Sequence, residues 1–124
     1  MATGKRSLGS RGEEIAARYL QSLGYEIIAR NVHISRLGEM DIVARDGDVL
    51  AFVEVRTRVG ERFGSPEESV GIRKQRKLLL LGQIYVQENG WEGPWRVDFV
   101  AVRMKDPEHL SDVRLYKDAF RYEF

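Results

Sequence analysis

The sequence predicts an α/β fold in which a mixed β-sheet is flanked by helices, with the element order α-β-β-β-α-β. Three features predict it: an amphipathic stretch near the N-terminus, two alternating apolar runs around Asp46-Gly47, and a second amphipathic stretch followed by another β-rich run. A chain of 124 residues is the size of one domain, and it can bury enough surface for a core without disulfides or structural metals. We therefore expect a single domain over residues 1–124.

The composition excludes several classes of protein. Cys is absent, which excludes disulfides and thiolate metal sites and makes the cytoplasm the expected location. The longest apolar stretch, at 78–86, is too short to cross a bilayer, so we expect a soluble protein with no membrane partner. Because 20 Lys and Arg residues stand against 19 Asp and Glu residues, the net charge of +1 excludes a globally basic nucleic-acid binder.

The first helix is predicted over residues 10–23. Ser10 suits the N-cap position with Glu13 three residues later, and Gly24 suits the C′ position after the last turn. Apolar residues at helical spacing indicate the face that packs against the sheet: Ile15, Ala16, Tyr19, Leu20 and Leu23.

The remaining elements follow from similar signals. A short helix begins near Ser65, Gly71 separates it from a longer helix, and the longer helix ends at Gly90. β-rich runs at 25–34 and 95–103 predict strands on either side, and a run at 112–120 predicts a last edge strand.

Residues 38–58 predict a β-hairpin that brings carboxylates together. If Asp46 and Gly47 are the central residues of a type I′ turn, Arg45 pairs with Asp48. In that register Glu39 lies across from Glu54, and Asp41 lies diagonal to Glu54. The other face is then uniformly apolar: Met40, Ile42, Ala44, Val49, Ala51 and Val53.

The electrostatic repulsion between clustered carboxylates must be compensated. Two of them about 5 Å apart repel by roughly 3 kcal/mol at an effective dielectric near 20. A shared proton, a neighbouring Arg or Lys, or a divalent cation would each compensate. Arg56 follows Glu54 by two residues, so an internal ion pair and a metal site are about equally supported by the carboxylates alone. The spacing favours the metal site, because an acid on one strand and an acid-x-Arg run on the next bring cation ligands and a phosphate-binding charge to one point.

The motifs "GEEIAARYL", "RN", "GEMD", "FVEVRTR", "FGSPEESV", "RKQRK" and "RVDFV" occur in that order over nearly the whole chain. By these motifs the chain resembles the YraN-like family of uncharacterised bacterial proteins, within the PD-(D/E)xK restriction-endonuclease-like superfamily (Holliday-junction-resolvase-like and tRNA-endonuclease-like proteins). The resemblance implies a restriction-endonuclease-like core in which Asp41 and Glu54 ligate Mg²⁺ or Mn²⁺. It also implies that Glu13 and the Val55 carbonyl contribute to the site, with Glu39 as a further candidate ligand.

The resemblance further implies a metal-dependent endonuclease that hydrolyses phosphodiester bonds in nucleic acid, with DNA favoured over RNA. Arg56 stands where the superfamily signature ends in Lys. Because Arg stays charged, it can clamp a phosphate or stabilise developing charge but is a poor base. Many relatives of this fold act as dimers, so a homodimer is also possible.

A basic cluster begins the second long helix, and it includes Arg76. Beside an acidic metal site such a cluster would hold a phosphate backbone, although a run of charges is more commonly a solvated helix face. Lys74 and Gln75 match family positions, and Arg62 extends the same basic edge. The candidate nucleic-acid-binding residues are Arg58, Arg73, Lys74, Gln75 and Lys77.

Two other functions remain open. One is a non-catalytic nucleic-acid-binding module that retains the nuclease fold. The other is a protein-interaction scaffold whose acids are neutralised by Arg30, Arg45 or Arg56. Outside the acidic cluster, we expect Asp98 to be structural, pairing with Arg96 or a neighbouring strand, and Trp91 and Trp95 to serve in packing.

Overall fold

The computed structural model describes residues 7–60 and 64–121. Its strands form one five-stranded sheet in the order β1-β2-β3-β4-β5, in which β3 and β4 are parallel and the other neighbours are antiparallel. The predicted α/β class and element order are confirmed, with the edge strand present at the end. The elements are α1 (Leu8–Ser22), β1 (Glu26–Ile34), β2 (Gly38–Asp46), β3 (Val49–Val59), a 3₁₀ turn (Glu67–Ser69), α2 (Ile72–Glu88), β4 (Trp95–Asp106) and β5 (His109–Phe120).

The sheet is buried on both faces. Ala16 and Leu20 of α1 pack on one face, in a cluster that contains Ile42. Leu78 and Leu81 of α2 pack on the other face, in a cluster that contains Met40. The prediction that Met40 and Ile42 share one apolar face is therefore wrong, because the alternation of β2 is interrupted between them.

The hairpin register also differs from the prediction. Asp46 pairs with Val49 and Ile42 pairs with Val53, so the two-residue loop is Gly47-Asp48 and not Asp46-Gly47. Gly47 has φ +61° at the first loop position, where a type II′ turn needs glycine. Asp46 stays in its strand because its carboxylate accepts hydrogen bonds from Arg96 at 2.7 Å and Lys117 at 3.1 Å. Both cations come from strands far along the chain.

Helix α1 begins earlier than predicted, because its N-cap is Ser7 and not Ser10. The Ser7 side chain accepts a hydrogen bond from the Ser10 N–H at 3.1 Å. Glu13 is therefore beyond the first turn and does not form a capping box. Gly24 has φ +95° after the last turn, as the C′ prediction requires.

Helix α2 has the predicted boundaries, with Gly71 as N-cap and Gly90, at φ +64°, after its C-cap. The short helix expected near Ser65 is a 3₁₀ turn over Glu67–Ser69, and Ser65 Oγ accepts a hydrogen bond from the Glu68 N–H at 3.2 Å. Among the described residues, no helix is long and apolar enough to span a membrane.

Candidate functional site

A pocket of about 520 Å³ opens where β2 and β3 meet the N-terminal turns of α1 and α2. It contains all four acids predicted as metal ligands, and also Arg56, Arg58 and Lys74. The lining residues are Leu8, Gly9, Glu13, Glu39, Asp41, Glu54, Val55, Arg56, Thr57, Arg58 and Lys74.

Asp41 and Glu54 are neighbours across the hairpin. The ladder of β2 and β3 runs as far as Ile42 and Val53, and the two acids are the next residue on each strand. Asp41 replaces the missing ladder bond, since its Oδ2 accepts a hydrogen bond from the Val55 N–H at 2.8 Å. The observed register thus brings Asp41, rather than Glu39, beside Glu54.

The Glu54 side chain is only 4% exposed. Burial is the largest cause of a rise in the pKa of this carboxyl from 4.5 to about 8, and the neighbouring Asp41 contributes to the same rise by its charge and by a hydrogen bond that favours the protonated form. Near neutral pH the Glu54 carboxyl therefore retains its proton. Loss of this proton would leave two carboxylates, whose oxygen atoms are the donors that Mg²⁺ and Mn²⁺ prefer.

Two cations approach the same oxygen of Glu54. Arg56 Nη2 lies 3.1 Å from Glu54 Oε2, and Lys74 Nζ lies 3.8 Å from it. The ion pair that the sequence left open is thus formed, although both cations together do not offset the effect of burial on the Glu54 pKa. In the described part of the chain, Arg56 Nε is buried without a hydrogen-bond acceptor, as are Arg30 Nε and Arg45 Nε.

Glu13 and Glu39 form the outer wall of the pocket. Burial raises the pKa of Glu13, and the charge of Asp41 raises it further, while Arg30 and Asn31 oppose the shift. Glu39 is 42% exposed, and its Oε2 lies 3.9 Å from His33 Nδ1. Within the described ranges no three Asp, Glu, His or Cys side chains are arranged to hold a metal ion. The closest fit to the predicted ligand set is therefore the Asp41–Glu54 pair.

The sequence matches the model of the Uncharacterised protein family UPF0102 over residues 12–102. The chain belongs to the UPF0102 family. It is 45% identical to a UPF0102 protein of Pelotomaculum thermopropionicum over 97% of this chain and 100% of the relative. It is also 47% identical to one of Symbiobacterium thermophilum over 93% of this chain and 97% of the relative. A Nocardia farcinica UPF0102 protein is 46% identical over 94% of this chain and 91% of the relative.

The basic residues of this UPF0102 chain are distributed unevenly. Arg58 and Lys74 line the acidic pocket. Arg73 and Lys77 are exposed on α2 outside that lining. Gln75 lines a separate, mostly apolar pocket of about 420 Å³ and donates to the Val70 carbonyl at 2.9 Å. Arg62 falls outside the described residues.

The arginines proposed to neutralise the acidic cluster have different partners. Arg30 donates to Glu14 at 3.0 Å, which lowers the pKa of Glu14. Arg45 lies over the Trp91 ring at 5.6 Å. Arg56 is the one of the three that pairs with an acid of the Asp41–Glu54 pair, as the scaffold hypothesis allowed, and the charge of Arg30 opposes the rise in the Glu13 pKa.

The polar residues at the other end of the sheet are structural, as predicted. Asp98 is fully buried and accepts from Tyr25 Oη, Arg96 Nε and the Asp118 N–H, each at 2.8 Å. Burial raises the pKa of the Tyr25 hydroxyl, with its bond to Asp98 as the next cause. This end of the UPF0102 fold holds β4, β5 and the start of β1 together.

Sequence reasoning missed one member of the site, Asn31, and one contact of another, Lys74. Lys74 was expected to bind nucleic acid, yet its ammonium approaches Glu54 directly. Asn31 was noted only within the "RN" motif, yet its amide faces Glu13 and Glu39. The signal that could have found Asn31 was a polar residue in the strand that pairs with β2, the strand of Glu39 and Asp41. No spacing rule joins it to Glu13.

Proposed function

We propose that this chain is a divalent-metal-dependent nuclease that hydrolyses phosphodiester bonds in nucleic acid. The observation that carries the proposal is the buried Asp41–Glu54 pair in a pocket with Arg56 and Lys74. The motif resemblance to PD-(D/E)xK nucleases supports the same chemistry. The proposal includes three further points to be measured: DNA as the favoured polymer, a homodimer and a cytoplasmic location.

Each side chain has a role in such a reaction. Asp41 and Glu54 would hold Mg²⁺ or Mn²⁺, with the Val55 carbonyl and Glu13 as further contributors. A bound ion supplies a water of lowered pKa and neutralises phosphate charge. In the hydrolysis, the water oxygen bonds to phosphorus, the bond to the leaving oxygen breaks, and the water proton passes to solvent or to the leaving oxygen.

The cations bind and stabilise rather than accept protons. Arg56 lines the pocket with 29% of its side chain exposed, and because an arginine stays charged it would hold a non-bridging phosphate oxygen. Lys74 enters from α2 near Glu54 and supplies the ammonium that the hairpin itself lacks. Both would stabilise negative charge that develops on the phosphate.

A non-catalytic nucleic-acid-binding module is the second candidate. It is favoured by the 3.1 Å ion pair between Arg56 and Glu54, which gives Glu54 a partner without metal. It is also favoured by the lack, among the described residues, of three acidic side chains arranged around one point. In that case the basic residues around the pocket would bind phosphates and no bond would be cleaved.

One experiment separates these functions. Mn²⁺ binding is measured by calorimetry, and linear, flapped and four-way DNA and RNA substrates are incubated with the chain and Mn²⁺. The native chain should bind Mn²⁺ and cleave at least one substrate, whereas Asp41→Asn should do neither. Asp112→Asn is the matched control, because Asp112 pairs with Arg114 at 2.8 Å outside the pocket lining. Salt-dependent mobility shifts in EDTA, unchanged in Asp41→Asn and without cleavage or Mn²⁺ binding, would establish the binding module instead.

A further inference from the structure

Asn31 of β1 connects two acids from different elements. With its amide assigned so that the nitrogen faces the carboxylates, Nδ2 donates to Glu13 Oε1 at 2.9 Å and to Glu39 Oε1 at 3.1 Å. The assignment follows from chemistry, because the opposite orientation would place the amide oxygen against two carboxylates. One neutral side chain therefore bridges α1 and β2 at the pocket wall.

The backbone at Asn31 is unusual. Its φ is +53°, in the left-handed region that non-glycine residues adopt at a cost and that Asn tolerates better than most. Since the residue is also exposed, packing does not explain its conformation. In this left-handed conformation the Asn31 amide reaches the carboxylates of Glu13 and Glu39.

The bridge also constrains two acids that would otherwise separate. Glu13 and Glu39 repel each other, and Glu39 is exposed enough to turn toward solvent. The two N–H groups of one amide each hold one oxygen of one acid. The second oxygen of Glu13 is left available to the pocket that Glu13 lines, whereas the second oxygen of Glu39 lies 3.9 Å from His33 Nδ1.

We infer that Asn31 is a positioning residue, which holds Glu13 against Glu39 at the pocket wall so that the free oxygen of Glu13 acts toward a divalent ion at Asp41 and Glu54 or toward its water ligands. The inference rests on the proposed function. It assigns Asn31 no contact with the ion itself. The Asn31 amide suits this role because it is neutral, donates two hydrogen bonds and connects α1 with β2.

Asn31→Gly tests the amide apart from the backbone, because glycine adopts positive φ without strain. Ser35→Gly is the matched control: Ser35 also has φ +53°, and its hydroxyl faces Glu88 at 3.4 Å, away from the pocket. Mn²⁺ affinity is measured by calorimetry and by the electron paramagnetic resonance of free Mn²⁺, with folding checked by denaturant unfolding. Asn31→Gly should weaken Mn²⁺ binding about tenfold, as loss of outer partners of metal ligands does. Ser35→Gly should leave it unchanged.

A second readout separates positioning from general stability. Glu13→Gln should weaken Mn²⁺ binding in the native chain but have little further effect in Asn31→Gly, because Glu13 is no longer held there. Additive effects, or equal Mn²⁺ affinities for Asn31→Gly and Ser35→Gly, would overturn the role of Asn31 alone. If the native chain binds no Mn²⁺, the proposed function and this inference both fail.

Discussion

Gly12 of α1 lies so close to Thr57 of β3 that a Cβ at position 12 would overlap the Thr57 hydroxyl. The helix therefore approaches the sheet at the edge of the pocket, which Thr57 and Glu13, the next residue after Gly12, both line. This close approach gives a physical reason for glycine at the start of the "GEEIAARYL" motif. It also sets how far Glu13 stands from Asp41.

Substitution of Gly12 should disturb this contact. Gly12→Ala should lower the free energy of unfolding by about 1–3 kcal/mol, as overpacking does. Gly9→Ala is the control in the same helix, since nothing lies within 4 Å of a Cβ there, and it should be neutral or stabilising by up to about 1 kcal/mol. Addition of Thr57→Ala should recover part of the loss. Equal denaturant midpoints for Gly12→Ala and Gly9→Ala would show that the helix can move away at no cost.

Glu54 should make stability depend on pH. Its pKa is about 8 in the folded chain against an ordinary 4.5, so its contribution is full below about pH 4.5 and is lost as pH rises through about 8. In EDTA, unfolding of the native chain should become easier between pH 5 and pH 9, by on the order of 2–4 kcal/mol from this group. Glu54→Gln cannot ionise and should show a smaller loss over the same range.

The groups that face Glu54 are Asp41, Arg56 and Lys74. The native chain and Glu54→Gln differ only at this carboxyl, so the difference between their stability curves reports its ionisation. Parallel stability curves for the native chain and Glu54→Gln would mean that Glu54 ionises normally. A carboxyl ¹³C titration would then show a midpoint near 4.5, its ordinary value.

Lys74 should contribute to both electrostatics and catalysis. Lys74→Ala should raise the Glu54 pKa, because the ammonium lowers it, and should reduce Mn²⁺-dependent cleavage by about 10- to 100-fold. Lys105→Ala is the control, as an exposed lysine on β4 outside the pocket lining. Cleavage rates and a carboxyl titration check the two effects. Equal cleavage rates for Lys74→Ala and Lys105→Ala would show that Lys74 takes no part in catalysis.

Asp98 should be required for stability. It is fully buried with three hydrogen-bond donors. Asp98→Ala removes one of the two carboxylates that pair with Arg96 and leaves the Tyr25 hydroxyl without this acceptor, and it should cost about 3–5 kcal/mol. Asp112→Ala removes an exposed partner of Arg114 and should cost less than about 1 kcal/mol. Urea unfolding measures both. A small loss in Asp98→Ala would mean that Arg96 is satisfied by Asp46 and Tyr25 alone.

The differences between prediction and structure have local and long-range causes. The α1 start was placed too late because Ser7 and Ser10 both suit an N-cap, and only the structure shows which hydroxyl accepts the bond. The hairpin turn was misplaced because Asp-Gly favours a type I′ turn locally, whereas Arg96 of β4 holds Asp46 in the strand. A contact between residues far apart in the chain overrode the local preference.

The sequence was sufficient to predict the α/β class and the order of the elements, through periodicity, capping residues and turn signals. It also predicted the convergence of Asp41 with Glu54, because this depends on alternation along neighbouring strands. The approach of Lys74 to Glu54 and the bridge from Asn31 to Glu13 depend on how α1, α2 and β1 pack around the hairpin. Burial of Glu54, which raises its pKa, likewise arises only when both helices cover the sheet, since the cost of desolvating a carboxylate is set by everything around it.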